Sequence, residues 1–279
     1  MNKISCISTK QIEQALCFAL NLRYLCIYNI GMKNPLFSII TVTYNAEKVL
    51  PATLDSVKGQ TFGDFEYIVV DGMSKDCTVE LARGSGIGSM TVISEPDKGL
   101  YDAMNKGIGK ATGLYLIFLN AGDAFHSCNS LSEIAETAIN NGYPDVVYGQ
   151  TQLVDASRRF VGMRHLSAPE HLSFESFRKG MLVCHQAFVA KREIAGFYDL
   201  RYRFSADYEW CLRCLRRMGG SAYTGTVLID YLTDGLTDKN HKASLKERFN
   251  IMCDYYGTLP TILRHVGFFL RNLRRKIIS

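Results

Sequence analysis

The sequence predicts an α/β protein: a mixed, mostly parallel sheet flanked by helices, with a helical extension at the C-terminal end. Three observations carry this expectation. Short apolar runs with little polar alternation, FSIITV at 37–42, YIVV at 67–70 and LIFL at 116–119, have the pattern of strands buried on both faces. Each run ends in a loop of Asn, Gly or Asp, and helical periodicity follows the first two. Strand, loop and helix then repeat at short intervals, which gives parallel strands with helices on both faces. With 279 residues, 47% hydrophobic and 21% charged, the chain is long enough for one large α/β domain with an appendage.

The first strand, Phe37 to Val42, is rich in Ile, Val and Thr. Thr43, Tyr44 and Asn45 leave it, and Asn45 has the chemistry of a helix N-cap. The helix is expected over Glu47 to Lys58, with Val49, Leu50, Leu54 and Val57 on one face. Pro51 falls in its first turn, where a missing N–H costs little, and Gly59 ends it. The second strand, Phe65 to Val70, delivers Asp71 to a loop, and a helix follows from Cys77 to Arg83. Gly84-Ser85-Gly86-Ile87-Gly88 has the glycines of a dinucleotide loop in the wrong place, after a helix and before the strand Met90 to Ser94. That context counts against a nicotinamide-dependent dehydrogenase. A helix beginning near Leu100 presents Ala103, Met104, Gly107, Ile108 and Ala111, a small-residue face suited to close packing on a sheet.

The stretch Tyr115–Asp123, YLIFLNAGD, organises the functional reading. A buried strand that delivers a carboxylate at its C-terminal end places charge where open α/β sheets bind ligands. Gly122 permits a sharp turn and close approach of a ligand. Asp123 is read as the holder of a divalent cation that in turn holds a diphosphate; the alternative is an acid that only opens a turn. Beyond residue 130 a helix (131–140) leads to strands at 145–148 and 150–154. Residues 156–180 read as irregular, and Met181 to Ala190 as strand-like, carrying His185 and Gln186. A loop spans 197–204, Ser205-Ala206-Asp207 opens a helix to Met218, Val227 to Leu232 is a strand, and Leu245 to Tyr256 a helix. The organisation expected is an N-terminal extension (1–34), a main domain (35–235) with halves 35–125 and 126–235, and a basic tail (236–279).

Charge and cysteine usage narrow the class. A net charge of +5, with basic residues spread along the chain, gives no reason to expect nucleic acid. Nine cysteines show no regular framework, and the C-x-x-C at Cys211 and Cys214 lies in a helix-like segment. They read as reduced thiols of a cytosolic protein, mostly small core residues. No run reaches the ~18 apolar residues of a spanning helix. Residues 1–31 make a poor signal peptide, and Met32 is a candidate translation start.

Taken in order, VTYN (Val42–Asn45), QTFGDFEYIVVDGMSKD (Gln60–Asp76), EPDKGLYDAMNKGI (Glu95–Ile108), FLNAGD (Phe118–Asp123), HQ (His185–Gln186) and SADYEW (Ser205–Trp210) resemble the family-2 glycosyltransferases, most closely bacterial enzymes of polysaccharide or O-antigen synthesis. The resemblance covers residues 35–235. It implies the inverting GT-A fold, a nucleoside-diphosphate sugar as donor, uridine as the base, and Mg²⁺ or Mn²⁺ as cofactor. By the same resemblance Asp71 is expected on the nucleoside, the metal on Asp123 and the catalytic base at Asp207; Thr43, Tyr44, Asn45, Asn105 and Asn120 complete the expected nucleotide site, and Lys98 is either a phosphate partner or a solvated loop lysine. Two motifs depart from the family's pattern: Asp71-Gly72 and Gly122-Asp123 each stand where many members have two acids.

The chemistry explains those residue types. Sugar transfer leaves negative charge on the departing diphosphate, which a divalent cation with one or two carboxylates neutralises. The acceptor hydroxyl must lose a proton, which a carboxylate on the other side of the sugar can take. Asp207 also suits a purely structural place in a helix's first turn, where the helix dipole favours an acid. His185 is expected to support the site from behind rather than react. The expected acceptor is a saccharide or lipid-linked saccharide. Two other functions compete: an inert nucleotide-sugar-binding subunit of a synthesis complex, which the single-acid motifs permit, and a nucleotidyltransferase, which Thr43-Tyr44-Asn45 fits poorly as a first loop. The tail, with Arg264, Arg271, Arg274, Arg275 and Lys276 among apolar residues, suits a helix on the anionic inner face of a membrane, or one that packs on the domain or joins a homodimer.

Overall fold

The computed structural model describes residues 34–233 and 241–267. The N-terminal extension up to residue 33, with its candidate start at Met32, lies outside the described residues, as does the tail beyond 267.

The chain alternates as its apolar pattern requires. β1 (Phe37–Thr43) is buried at every position, and α1 (Leu50–Lys58) buries Leu50, Thr53, Leu54 and Val57 against the sheet. Then come β2 (Phe65–Asp71), α2 (Thr78–Gly84), β3 (Met90–Ser94), α3 (Leu100–Lys110) and β4 (Tyr115–Phe118). β1 pairs in parallel with β2 and with β4, and β2 in parallel with β3. The spatial order of this half is therefore β3-β2-β1-β4. The connection after β1 runs one way along the sheet and β4 lies on the other side of β1. Open α/β sheets bind ligands at such a reversal, beyond the carboxyl ends of the two strands. Thr43 ends one of these strands; Asn120 and Asp123 follow the other.

The second half completes the sheet: β5 (Ala124–Phe125), α4 (Ser130–Asn140), β6 (Val146–Val154), β7 (Phe160–Met163), β8 (Phe188–Lys191), the short α5 (Arg192–Ala195), α6 (Ala206–Arg217) and β9 (Ser221–Leu232). Here β4–β8, β6–β8, β6–β7 and β5–β9 are antiparallel, while β6–β9 is parallel. α7 (His241–Tyr256) packs against α6, and residues 258–267 form a further helix, α8.

Several expectations need correction. The first helix starts at Leu50, not Glu47, and Asn45 does not cap it; Asn45 adopts a left-handed φ of 48° and its Oδ1 accepts from the Lys75 N–H at 2.9 Å. Asn tolerates that conformation because its short amide bonds locally. The segment 181–190 is not one strand: His185–Ala187 is a 3-10 turn before β8. Residues 156–180 are not wholly irregular, since they hold β7 and a 3-10 helix at Phe174–Lys179. β9 begins six residues before the expected Val227, because pairing with β6 compensates for its polar, glycine-containing first half. Cys211 and Cys214 are fully buried in α6, and burial pushes the Cys214 thiol up to about 12, as expected of core residues rather than redox partners.

Candidate active site

The first cluster lies at the ends of β1, β2 and β3. Asp71 is fully buried, yet its carboxylate is saturated with donors. Oδ1 accepts from Thr43 Oγ1 at 3.1 Å and from Ser74 Oγ; Oδ2 accepts from the Ser74 N–H at 2.9 Å and Ser94 Oγ at 2.8 Å. Burial acts to raise its pKa, but the bonds from Ser74, Ser94 and Thr43 outweigh that and hold the carboxyl below the usual range. Asp71 thus ties three strand ends together. Beside it Tyr44 is 64% exposed, an aromatic face open to a ligand.

Gly72 stands where the resemblance leads one to look for a second acid, and the space is occupied. A methyl group placed on Gly72 would come within 3.2 Å of Asp97 Cγ and 3.4 Å of Tyr44 Cδ2. The Asp97 carboxylate therefore lies where a longer residue at 72 would project. Asp97 was not among the expected site residues; the acid in EPDKG was its only sequence signal. The next residue, Lys98, is exposed, and its backbone N–H donates to Asp102 Oδ2 at 3.0 Å.

The second cluster follows β4. Asn120, Ala121, Gly122 and Asp123 form a tight turn closed by the Asp123 N–H on the Asn120 carbonyl at 2.9 Å. Gly122 has φ of 100°, which only glycine adopts easily. Thr53 Oγ1 accepts from the Gly122 N–H and donates to the Asp123 carbonyl, fixing the turn to α1. The Asp123 side chain is 4% exposed. Oδ2 accepts from Gln186 Nε2 at 2.7 Å, and Oδ1 from the Leu232 N–H at 2.9 Å. Burial raises its pKa to about 7, against the pull of Leu232, Gln186 and Arg158. Arg158, at the tip of the β6–β7 hairpin, donates to the Gly122 carbonyl at 2.6 Å. Nothing in the sequence spacing links Gln186, Arg158 or Leu232 to Asp123. Asn120 Oδ1 is buried without a hydrogen-bond partner.

Asp207 occupies the first turn of α6, partly exposed. Its Oδ1 accepts from the Tyr208 N–H at 2.8 Å and from the Tyr101 hydroxyl at 3.1 Å. Both bonds fall on one oxygen, which leaves Oδ2 the better placed to take a proton. Tyr101 comes from α3 in the other half and is buried. Behind it lie Tyr198, Phe118, His185 and Trp210: Tyr101 and Tyr198 ring centroids are 5.4 Å apart, and His185 stacks on Phe118 at 4.9 Å. His185 Nε2 is engaged by the Tyr198 hydroxyl at 2.5 Å. Burial lowers the His185 pKa to about 4, against the opposing charge of Asp207. An imidazole so enclosed is neutral and weakly basic, so it supports the aromatic wall. Asn105 is drawn into the same wall: Nδ2 donates to the Tyr198 carbonyl at 3.0 Å and Oδ1 accepts the Tyr198 N–H at 2.7 Å. Both ends of its amide are thereby committed to the loop at 198.

The sheet reversal, the acids at its strand ends and the ordered motifs converge on one family. Its model, glycosyl transferase family 2, matches residues 38–196. The chain belongs to glycosyl transferase family 2. This glycosyltransferase is 38% identical over 189 residues to a PGL/p-HBAD biosynthesis glycosyltransferase of Mycobacterium bovis, covering 66% of this chain and 71% of that protein. It is 30% identical over 194 residues to the amylovoran biosynthesis glycosyltransferase AmsB of Erwinia amylovora, covering 65% of this chain and 64% of that one. Among solved structures it resembles the 1–349 fragment of S. aureus TarS, with a TM-score of 0.64 and 15% identity over 83% of this chain and 72% of that one. The same fragment in complex with UDP-GlcNAc gives a TM-score of 0.62 at 17% identity, over 83% of this chain and 73% of that one. At such identity the likeness is one of fold, and it is the mixed, helix-flanked sheet of GT-A glycosyltransferases.

Proposed function

We propose that this glycosyltransferase moves a hexose-type sugar from UDP to a saccharide or lipid-linked saccharide acceptor, with inversion at the anomeric carbon, in the synthesis of a cell-surface polysaccharide or glycolipid. Names of relatives in PGL/p-HBAD and amylovoran biosynthesis, and the complex of TarS with UDP-GlcNAc, support the substrate class. The observation that carries the mechanism is Asp207, anchored through Oδ1 by Tyr101 at the head of α6.

In this reading the uracil and ribose lie against Tyr44, with Asp97 filling the space left by Gly72 and Thr43 and Asn45 fixing the loop. Lys98 reaches the phosphates. A Mg²⁺ or Mn²⁺ fits the strand end. Each Asp123 oxygen that accepts one hydrogen bond keeps a lone pair, and Asn120 Oδ1 is a buried acceptor with no donor. No group of three or more His, Cys, Asp or Glu side chains able to hold a metal occurs among the described residues. The ion would therefore keep most of its waters, as Mg²⁺ commonly does. When bound it neutralises the diphosphate oxygens as charge builds on them.

Asp207 takes the proton of the acceptor hydroxyl as that oxygen bonds to the anomeric carbon. The bond from that carbon to the diphosphate oxygen breaks, and its electron pair leaves with UDP. A single displacement with base and leaving group on opposite sides inverts the centre. Replacing Asp207 with Asn keeps the shape and removes the base. Asp207→Asn is expected to lower the transfer rate by about 10²–10⁴-fold while UDP affinity, measured by calorimetry, stays within about twofold. Normal turnover by this variant sinks the assignment.

A further inference from the structure

α8 folds back along α7 after the turn at Gly257, whose φ is 88°. The His265 ring meets the Phe249 ring edge-on at 5.1 Å, so the two helices run antiparallel. Thr261 is 2% exposed, which marks the seated side of α8. The other side carries Leu259, Ile262, Leu263 and Val266, exposed to 67%, 43%, 63% and 49%. Their spacing is that of a single helical stripe. Isolated apolar side chains on a surface need no explanation, but a contiguous stripe marks a contact.

The charge around this stripe selects its partner. Glu247 and Asp254 are the acids of the 241–267 stretch; Glu247 is half-buried and Asp254 exposed, and each is engaged by the 202–204 loop. Glu247 accepts from the N–H groups of Arg203 and Phe204 at 2.9 and 2.8 Å, and Asp254 accepts from the Tyr202 hydroxyl at 3.2 Å. Lys242 and Lys246 are exposed, and Arg264 is half-buried on the seated side of α8, beside Thr261 and Tyr256. The sequence beyond 267 adds Arg271, Arg274, Arg275 and Lys276 and no acid. No helix of the described residues is long and apolar enough to cross a membrane. An exposed apolar stripe on a non-spanning helix, in a stretch whose exposed lysines and following sequence are basic, has the makeup of an interfacial helix.

We propose that α8 is a membrane-contact helix, laying Leu259, Ile262, Leu263 and Val266 into the headgroup boundary of an anionic phospholipid surface. Because α8 runs back along α7, it points toward the end of α7 where Ser244 Oγ meets Ser205 Oγ at 2.9 Å and Glu247 holds the loop just ahead of Asp207. The surface would thus bring a lipid-borne hydroxyl to the acceptor side of the site. The contact itself stands apart from the transfer chemistry, and its test reads binding alone.

The test sediments the full chain with vesicles of phosphatidylcholine mixed with phosphatidylglycerol, and with phosphatidylcholine alone. Binding to the mixed vesicles is expected to exceed binding to the neutral ones by about tenfold or more and to fall with added salt. The double variant Leu259→Glu, Leu263→Glu is expected to lose binding by more than about tenfold with an unchanged thermal transition. Leu263→Trp supplies a second readout that does not depend on losing binding: its fluorescence shifts to the blue on the mixed vesicles, over the fixed signal of the fully buried Trp210. Equal binding to neutral vesicles, binding retained by the double variant, or an unshifted tryptophan overturns the proposal. So does a homodimer of the parent chain that the double variant converts to monomers without any vesicle binding.

Discussion

At the scale of single residues, two buried ionisable groups set opposing pH dependences. Asp123 has a folded pKa of about 7 against an ordinary 3.8. Between those values the folded protein keeps a proton that the unfolded chain has released, so this group makes stability fall as pH rises through that window. His185 has a folded pKa of about 4 against 6.5, so below 6.5 the unfolded chain binds the extra proton and stability rises with pH. The two nearly cancel between pH 4 and 6.5. Asp123→Asn removes one of them. Measured without divalent cations, its melting temperature minus that of the parent should climb from pH 4 to 7 and level off above. A difference that does not vary with pH means that Asp123 is not held protonated by burial. The sign is that of burial, which outweighs the opposing pull of Leu232, Gln186 and Arg158. Asp71, equally inaccessible, goes the other way because four donors surround it.

At the scale of elements, α3 shows how sequence patterning becomes geometry. Gly107 lies on its sheet-facing side, where a methyl group would come within 2.5 Å of Ile40 Cγ2 and 3.5 Å of Val70 Cγ2. The close approach lets Tyr101, at the start of the same helix, reach Asp207. Gly107→Val should push α3 off β1 and β2 and destabilise the protein by about 1–3 kcal/mol in urea unfolding, despite valine's bulk being apolar. A neutral result would mean that the helix has room to shift. The small-residue face of α3 was legible in the sequence, as were β1, β2, β3 and α6, because each depends on its own local pattern of apolar residues. The 3-10 turn at His185 and the long β9 were not. His185 and Gln186 sit in an apolar run that imitates a strand, and residues 221–226 become a strand only because β6 lies beside them. Pairing across distant segments leaves no local trace.

At the scale of the whole molecule, the proposed donor and acceptor sides adjoin the reversal between β1 and β4. Ligands that bind only the folded state raise its melting temperature. A UDP-sugar should do so for this protein, and more strongly with Mn²⁺ present; a panel of nucleotide-sugars read by thermal shift would identify the donor. Asp97→Ala should reduce the UDP-dependent shift without changing the melting temperature of the free protein by more than about 2–4 °C. An undiminished shift would remove Asp97 from the nucleotide site. Of the proposed site residues, Asp123 and Asp207 are expected from motif order, whereas Asp97, Gln186 and Tyr101 join them only in three dimensions. Their partners lie 25 to 106 positions away: Gly72 for Asp97, Asp123 for Gln186, Asp207 for Tyr101.

The acid that follows β4 takes its two hydrogen bonds from Gln186 and from the backbone at Leu232, both of them in the other half of the domain. The boundary near residue 125 is therefore no seam. A fragment that stopped there would carry a carboxyl group with neither of its donors and open to water, and grafting a foreign second half would aim that group anew. Swapping halves to change acceptor preference would have to carry an amide at 186 and a strand end at 232 along with it.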